Sequence, residues 1–172
     1  MAASRVVVLD LETTGFSPLK GDRVIEIGAV AVAFGEIEAE FQTLIRVPRL
    51  IPWQASRVHG ITDEMLAGRP LPEEIYPAFR DFIGGSVLVA HNARFDLSFL
   101  AHEFGRLGMG LANRHICTLR LARKRFPGLP DHRLETVARH ILGSLEDEMR
   151  LHRALEDARL TARVWLAMEG KG

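Results

Sequence analysis

Apolar and polar positions alternate in a way that predicts a strand-rich first quarter and a helical remainder. Val6–Leu9 is apolar at every position, as in a central strand covered on both faces. Val24–Phe34 is a second β-rich run, and Gly35-Glu36 is a turn candidate. Beyond it, Ile37, Ala39, Phe41, Thr43 and Ile45 alternate with Glu36, Glu38, Glu40 and Gln42. That is the pattern of a strand with one wet face near a sheet edge. Together the three segments predict an antiparallel meander.

After residue 45 the pattern turns helical. Pro48–Pro72 is loop-rich, with one short helix near Thr62–Ala67 for which Thr62 could serve as cap. Glu73–Ile83 reads as a helix and Val87–Ala90 as a fourth strand. Leu97, Leu100, Ala101, Phe104 and Leu107 then recur at helical spacing. A short fifth strand falls near Ile116, and helices follow at about Leu119–Phe126, Leu134–Leu142 and Ala154–Met168. Three antiparallel strands followed by alternating helix and strand predict an α/β or α+β sheet with helices on its faces. No linker interrupts the pattern, so residues 1–172 are expected to form one domain.

Composition narrows the class. A chain of 172 residues that is 47% hydrophobic has enough material for one substantial core. Its longest apolar runs are broken by charge well before the length needed to cross a bilayer, so no membrane role is expected. The start, MAASRVVVLDLE, makes a better first strand than a secretory signal. The lone Cys117 excludes an internal disulfide framework, and a cytoplasmic location is the expectation. The 22 acids balance 22 Lys and Arg, so no global basic field advertises a nucleic acid. Residues 94–139 nevertheless hold nine Lys or Arg against four acids, densest at Arg120, Arg123, Lys124 and Arg125. That stretch is either a solvated helix face or a surface that follows phosphates.

Three groups of acids carry the chemistry. In VVVLDLETTGF, Asp10 and Glu12 are one residue apart and project from the same face of a strand. Two such charges repel and lose hydration; either the strand has ended in water or a divalent cation offsets the cost. In HNARFDLSFL, Asp96 falls in the first turn of a helix, where the macrodipole favours an anion, and Asn92 could make an Asx-type turn or face a ligand. In LHRALEDARLTARVW, Asp157 lies on the stripe of Ala154, Ala158, Thr161, Ala162 and Trp165. His152 is five residues earlier, about 140° away on a continuous helix, and so belongs to the loop or first turn before it. A mobile His at a site rim suits proton transfer at neutral pH. If the acids at the ends of strands one and four meet those of the last helix, four carboxylates could hold two cations roughly 3.5–4 Å apart.

DLETTG, HNARFD and HRALEDA, in this order, resemble the three motifs of the DnaQ-like, or DEDDh, 3′–5′ exonucleases, and the resemblance runs from Val6 to the last helix. RVHGITDEML and CTLRLARKRFP are also similar to family segments. The resemblance implies an RNase H-like fold: a five-stranded mixed sheet, the meander followed by parallel strands, flanked by helices. It implies that Asp10 bridges two divalent cations, Mg²⁺ or Mn²⁺, that Glu12 and Asp157 help hold the nucleophile-side ion, and that Asp96 serves the second. His152 would deprotonate the attacking water, which displaces the terminal nucleotide as a 5′-monophosphate. Thr13, Thr14 and Gly15 would run beside that nucleotide, where glycine permits close backbone approach. His59, with Gln54 as a looser match, would contact substrate, and Asn92 and Phe95 complete the implied binding set.

His at position 152 implies the His-bearing branch of the family. Leu11 and Cys117 depart from the residues most frequent in proofreading members, but neither is an implied ligand. ETTG is closer to bacterial proofreading subunits and polymerase-fused exonuclease domains than to the EMTG of oligoribonucleases or the ETAG of RNase T-like enzymes. The chain ends soon after Trp165, which favours a compact stand-alone exonuclease. The 3′ end of single-stranded DNA is the favoured substrate, with RNA as the alternative. The rival class is a non-catalytic subunit docked on a DNA polymerase.

Overall fold

A computed structural model describes residues 5–143 and 152–170; Leu151, which opens the third motif, and the N-terminal MAAS lie outside them. One sheet organises the chain, with strands β1 (Val6–Thr13), β2 (Val24–Ala33), β3 (Glu36–Leu44), β4 (Val87–Ala90) and β5 (His115–Cys117) in the order β3-β2-β1-β4-β5. The first three are antiparallel, and β4 and β5 run parallel to β1. This is the expected mixed sheet. The five strands place β1 at the centre, which is why Val6–Leu9 is apolar on both faces.

One face of the sheet packs on α3 (Pro72–Ile83) and α4 (Ala93–Arg106), through Val7, Leu9 and Ile27 against Phe79, Phe99 and Phe104. The other face, through Val6, Val8, Val30 and Val32, packs on α7 (Ala154–Glu169). Helices α5 (Thr118–Arg125) and α6 (Leu134–Leu142) close a smaller cluster against Leu160, Val164 and Met168 of α7. The loop-rich stretch after β3 holds two helices, α1 (Trp53–His59) and α2 (Asp63–Leu66), rather than one.

Four local expectations change. The turn is one residue earlier: Phe34 (φ 54°) and Gly35 (φ 84°) are both left-handed, the pair of conformations a two-residue hairpin with right-twisted strands requires. The first half of β3 is wet on both faces, with Ile37 41% exposed; α7 packs mainly on β1 and β2 and only grazes this edge strand. Salt bridges from Arg5 to Glu38 (2.6 Å) and Arg159 to Glu40 (2.6 Å) cover it instead. Helix α1 escaped the pattern because its short sequence has no apolar stripe; it starts after Pro52 and closes on left-handed Gly60. Thr62 does occupy the N-cap position of α2 but makes no side-chain cap bond.

The last turn of α4 is anchored to the start of β2. Arg23 donates two hydrogen bonds to Glu103, at 2.7 and 2.8 Å, and Glu103 also accepts the Val24 N–H at 3.2 Å. Both side chains are buried, so this fork joins β2 to α4 with little solvent screening. Among the described residues, no helix is long and apolar enough to cross a membrane.

Candidate active site

Asp10 and Glu12 point to the α7 face of β1, opposite Gly28 and Glu26 of β2. Directly after Glu12 the register shifts, so that Thr13 pairs with Val24. Such a bulge bends the strand end and re-aims the side chains beside it. The start of α7 passes over Gly28 so closely that a Cβ there would sit 2.1 Å from the Ala154 carbonyl carbon and the Leu155 nitrogen. That approach delivers Asp157: carboxylate oxygens of Asp10, Glu12 and Asp157 all lie within 4.8 Å of one another.

Asp96, buried in the first turn of α4, reaches the same place from behind β4. Its charge is the largest neighbouring influence on Asp10. Burial first, then Asp96, Asp157, Glu12 and Glu26, hold the Asp10 carboxyl well above the usual carboxylate range. Burial and Asp157 push Glu12 up to about 8, although Arg153 pulls the other way. Burial lifts Asp96 to about 8 against the backbone N–H groups of Asp96 and Leu11. Asp157 rises to about 6, mainly from burial, eased by the His152 N–H. Four buried or half-buried acids that resist ionisation mark a candidate functional site. Hard, convergent oxygens that repel one another fit a divalent cation, which would reverse every one of these shifts.

His152 stands at the rim, exposed and left-handed (φ 70°), immediately before α7, and its backbone N–H donates to Asp157 Oδ2 at 3.0 Å. His152 thus sits in the turn before the helix, as its phase relative to Asp157 predicts.

Beside the acids lies a cavity of about 500 Å³ lined by Glu12, Thr13, Thr14, Gly15, Gln54, His59 and Phe95, among others. Six of the implied binding residues therefore share one space with a site acid. Asn92 does not line it; left-handed at the N-cap of α4, it borders an adjoining cavity of about 370 Å³. Its side chain makes no cap bond. The Thr13 hydroxyl donates to the Gly15 carbonyl (2.6 Å) and the Thr14 hydroxyl accepts the Arg23 N–H (3.0 Å), so both already serve the loop. Gly15 has its own structural reason: a Cβ would lie 2.4 Å from Asp22 Oδ2. That carboxylate is fixed by the Ser17 N–H (3.0 Å) and Arg49 (2.7 Å).

His59 is buried, and its Nδ1 accepts the Ile61 N–H at 3.0 Å. Burial lowers its pKa, so the ring is neutral with the proton on Nε2, an atom that has no partner in hydrogen-bonding geometry among the described residues although the Thr13 carbonyl lies beside it. His91 of the second motif serves the fold: Nε2 donates to the His132 carbonyl (2.8 Å) and Nδ1 accepts from Thr118 (2.9 Å). Cys117 is half-buried at the N-cap of α5. All four residues of the basic cluster, Arg120, Arg123, Lys124 and Arg125, are exposed, and Arg125 also hydrogen-bonds the Met168 carbonyl.

Sequence reasoning missed Glu26, Gly28 and Arg153. A signal existed: Glu26 is the one charged residue in VIEIGAVAVA, a strand otherwise apolar or glycine.

The chain matches the exonuclease family over residues 7–165. It is 43% identical over 158 residues to the PolC-type DNA polymerase III of Clostridium perfringens (strain 13), covering 92% of this chain and 11% of that protein. It is 38% identical over 161 residues to the DNA polymerase III subunit epsilon of Aquifex aeolicus (strain VF5), covering 93% of this chain and 78% of that one. Among solved structures, exonuclease X in complex with 5′-overhanging duplex DNA aligns with a TM-score of 0.78 at 29% identity, over 98% of this chain and 92% of that one. The chain thus spans about a tenth of the PolC-type relatives and most of the epsilon subunit.

Proposed function

Because the chain belongs to the exonuclease family, with its RNase H-like fold, we propose that it hydrolyses the terminal phosphodiester bond at the 3′ end of single-stranded DNA, with two divalent cations, Mg²⁺ or Mn²⁺. The observation that carries this reading is the convergence of Asp10, Glu12 and Asp157 within 4.8 Å, joined electrostatically by Asp96. These four carboxylates would hold the cations. When bound, such ions neutralise charge on the scissile phosphate and make a water acidic enough to attack near neutral pH.

The remaining work falls to the chain's own groups. The cavity beside Glu12 takes the terminal nucleoside, with Phe95, His59 and the Thr13–Gly15 backbone as walls. His152 accepts the proton of the attacking water and, being exposed at the rim, passes it to solvent. Water adds to phosphorus, the bond to the preceding 3′-oxygen breaks, that oxygen takes a proton from solvent to become the new 3′-hydroxyl, and a nucleoside 5′-monophosphate leaves. The proposed setting is cytoplasmic. Kinship with an epsilon subunit makes a DNA polymerase the partner to test.

The purified chain, incubated with Mg²⁺ or Mn²⁺ and matched 3′-ended DNA and RNA oligomers, should shorten the DNA faster and release mononucleotides. EDTA and Asp10→Ala should abolish this. His152→Ala should slow it about 100-fold or more, as expected for loss of a general base. Activity that survives Asp96→Ala defeats the assignment. Faster loss of RNA moves it to the RNA-degrading members, and polymerase binding without turnover on any strand identifies a docked, non-catalytic subunit.

A further inference from the structure

We propose that Glu26 is a positioning residue for His152, acting through Arg153 from the neighbouring strand; the inference rests on the exonuclease reading above. Glu26 is fully buried near the start of β2. A carboxylate there needs partners, and it has four donors. Arg153 reaches it with Nε (3.1 Å) and Nη2 (2.8 Å), the Ala154 N–H donates at 3.2 Å, and Gln42 Nε2 at 3.2 Å. Both oxygens are therefore engaged by protein donors, which separates Glu26 from the three acids whose oxygens converge.

The position of those donors in the chain gives the arrangement its meaning. Arg153 occupies the N-cap position of α7 in an extended conformation and makes no side-chain cap bond. Glu26 supplies the missing acceptor from the sheet, taking the Ala154 N–H at the helix N-terminus, where an anion is favoured. His152 directly precedes this anchor and holds a left-handed conformation that an L side chain adopts only under constraint. One side of the constraint is the Glu26–Arg153 fork; the other is the His152 N–H bond to Asp157. Gly28, two residues along β2 on the same face, lets the turn come close enough for the fork to form. A rigid strand thus fixes a turn that would otherwise swing, and a general base displaced by about 1 Å loses rate on the order of 100-fold.

The test must separate positioning from stability, because cutting one arm leaves a buried charge unpaired. Glu26→Leu/Arg153→Leu removes both charges together and is expected to fold with a melting temperature at or above wild type. Its kcat on a 3′-ended oligonucleotide should nonetheless fall about 10- to 100-fold, with KM within about 3-fold. In a His152→Ala background the same pair should change kcat by less than about 3-fold, since there is no base left to position. Independently of turnover, the ring ¹H–¹³C signal of His152, assigned by its loss in His152→Ala, should move towards its unfolded-chain position in the double-Leu variant. A folded double-Leu protein with wild-type kcat, an undiminished loss in the His152→Ala background, or an unchanged His152 signal overturns the proposal. If wild type itself fails to cleave, the exonuclease reading fails, and the His152 signal still decides the role of Glu26.

Discussion

Replacing Glu12 by Gln should make the metal-free protein more stable, not less. Burial and the neighbouring acids raise the Glu12 carboxyl from 4.5 to about 8. Between those two values the folded chain carries a proton that the unfolded chain has released. Stability therefore falls as pH rises across that window. Each unit costs about 1.4 kcal/mol, so at pH 7.5, three units above 4.5, the burden is about 4 kcal/mol before solvent screening. Glu12 is partly accessible, and screening reduces this to about 2 kcal/mol. At pH 5 less than about 1 kcal/mol remains. Glutamine has the same shape and no charge, and it also relieves Asp10 of one repelling neighbour. For a chain of this length the gain corresponds to a rise in Tm of about 4–8 °C at pH 7.5 and about 1–2 °C at pH 5. Scanning calorimetry in EDTA at the two pH values reads both. Added Mg²⁺ should then raise the Tm of wild type more than that of Glu12→Gln. A variant no more stable than wild type at pH 7.5, or equally stabilised at both pH values, would refute the picture of acids held together against their own repulsion.

Binding of Mg²⁺ or Mn²⁺ at pH 7.5 should release protons, because Glu12 and Asp96 titrate near 8 without metal and must ionise to coordinate. Calorimetric titration in buffers of different ionisation enthalpy measures the number, and the apparent affinity should climb from pH 6 to 8; proton-neutral binding contradicts it. Gly28→Ala places a methyl 2.1 Å from the α7 backbone, which cannot step aside as a side chain can. A loss of about 2–3 kcal/mol in urea unfolding and about 100-fold in exonuclease rate is expected, and wild-type values for either argue against the close approach. Glu103→Gln leaves the Arg23 guanidinium buried without its counter-charge and should cost about 3–5 kcal/mol in the same unfolding assay. A cost below about 1 kcal/mol would mean that water reaches Arg23 and the fork does not anchor α4.

Much of the architecture was legible before any coordinates, for local reasons. The unbroken apolar run at Val6–Leu9 marked the central strand, the acids at Asp10 and Glu12 marked its functional end, and Ala154–Met168 announced the helix that crosses it. These are statements about period and neighbours, which a linear chain carries in full. Helix α1 was not legible, because seven residues without an apolar stripe have no period to read. The exposed half of β3 was misread for a related reason: alternation says which side chains share a face, while the reach of α7 decides whether anything covers that face.

The site divides in the same way. The sequence by itself determined the acids, the histidine and their order, since those are residue identities. Only the tertiary structure decided that Asp157 comes to Asp10, that Gly15 is required by Asp22, and that Glu26 grips the turn carrying His152. Glu26 and Arg153 are 127 residues apart in the chain, and no local preference couples them. Their pairing arises from an unpaired carboxylate being intolerable inside a sheet, so that the fold is obliged to bring an arginine to it.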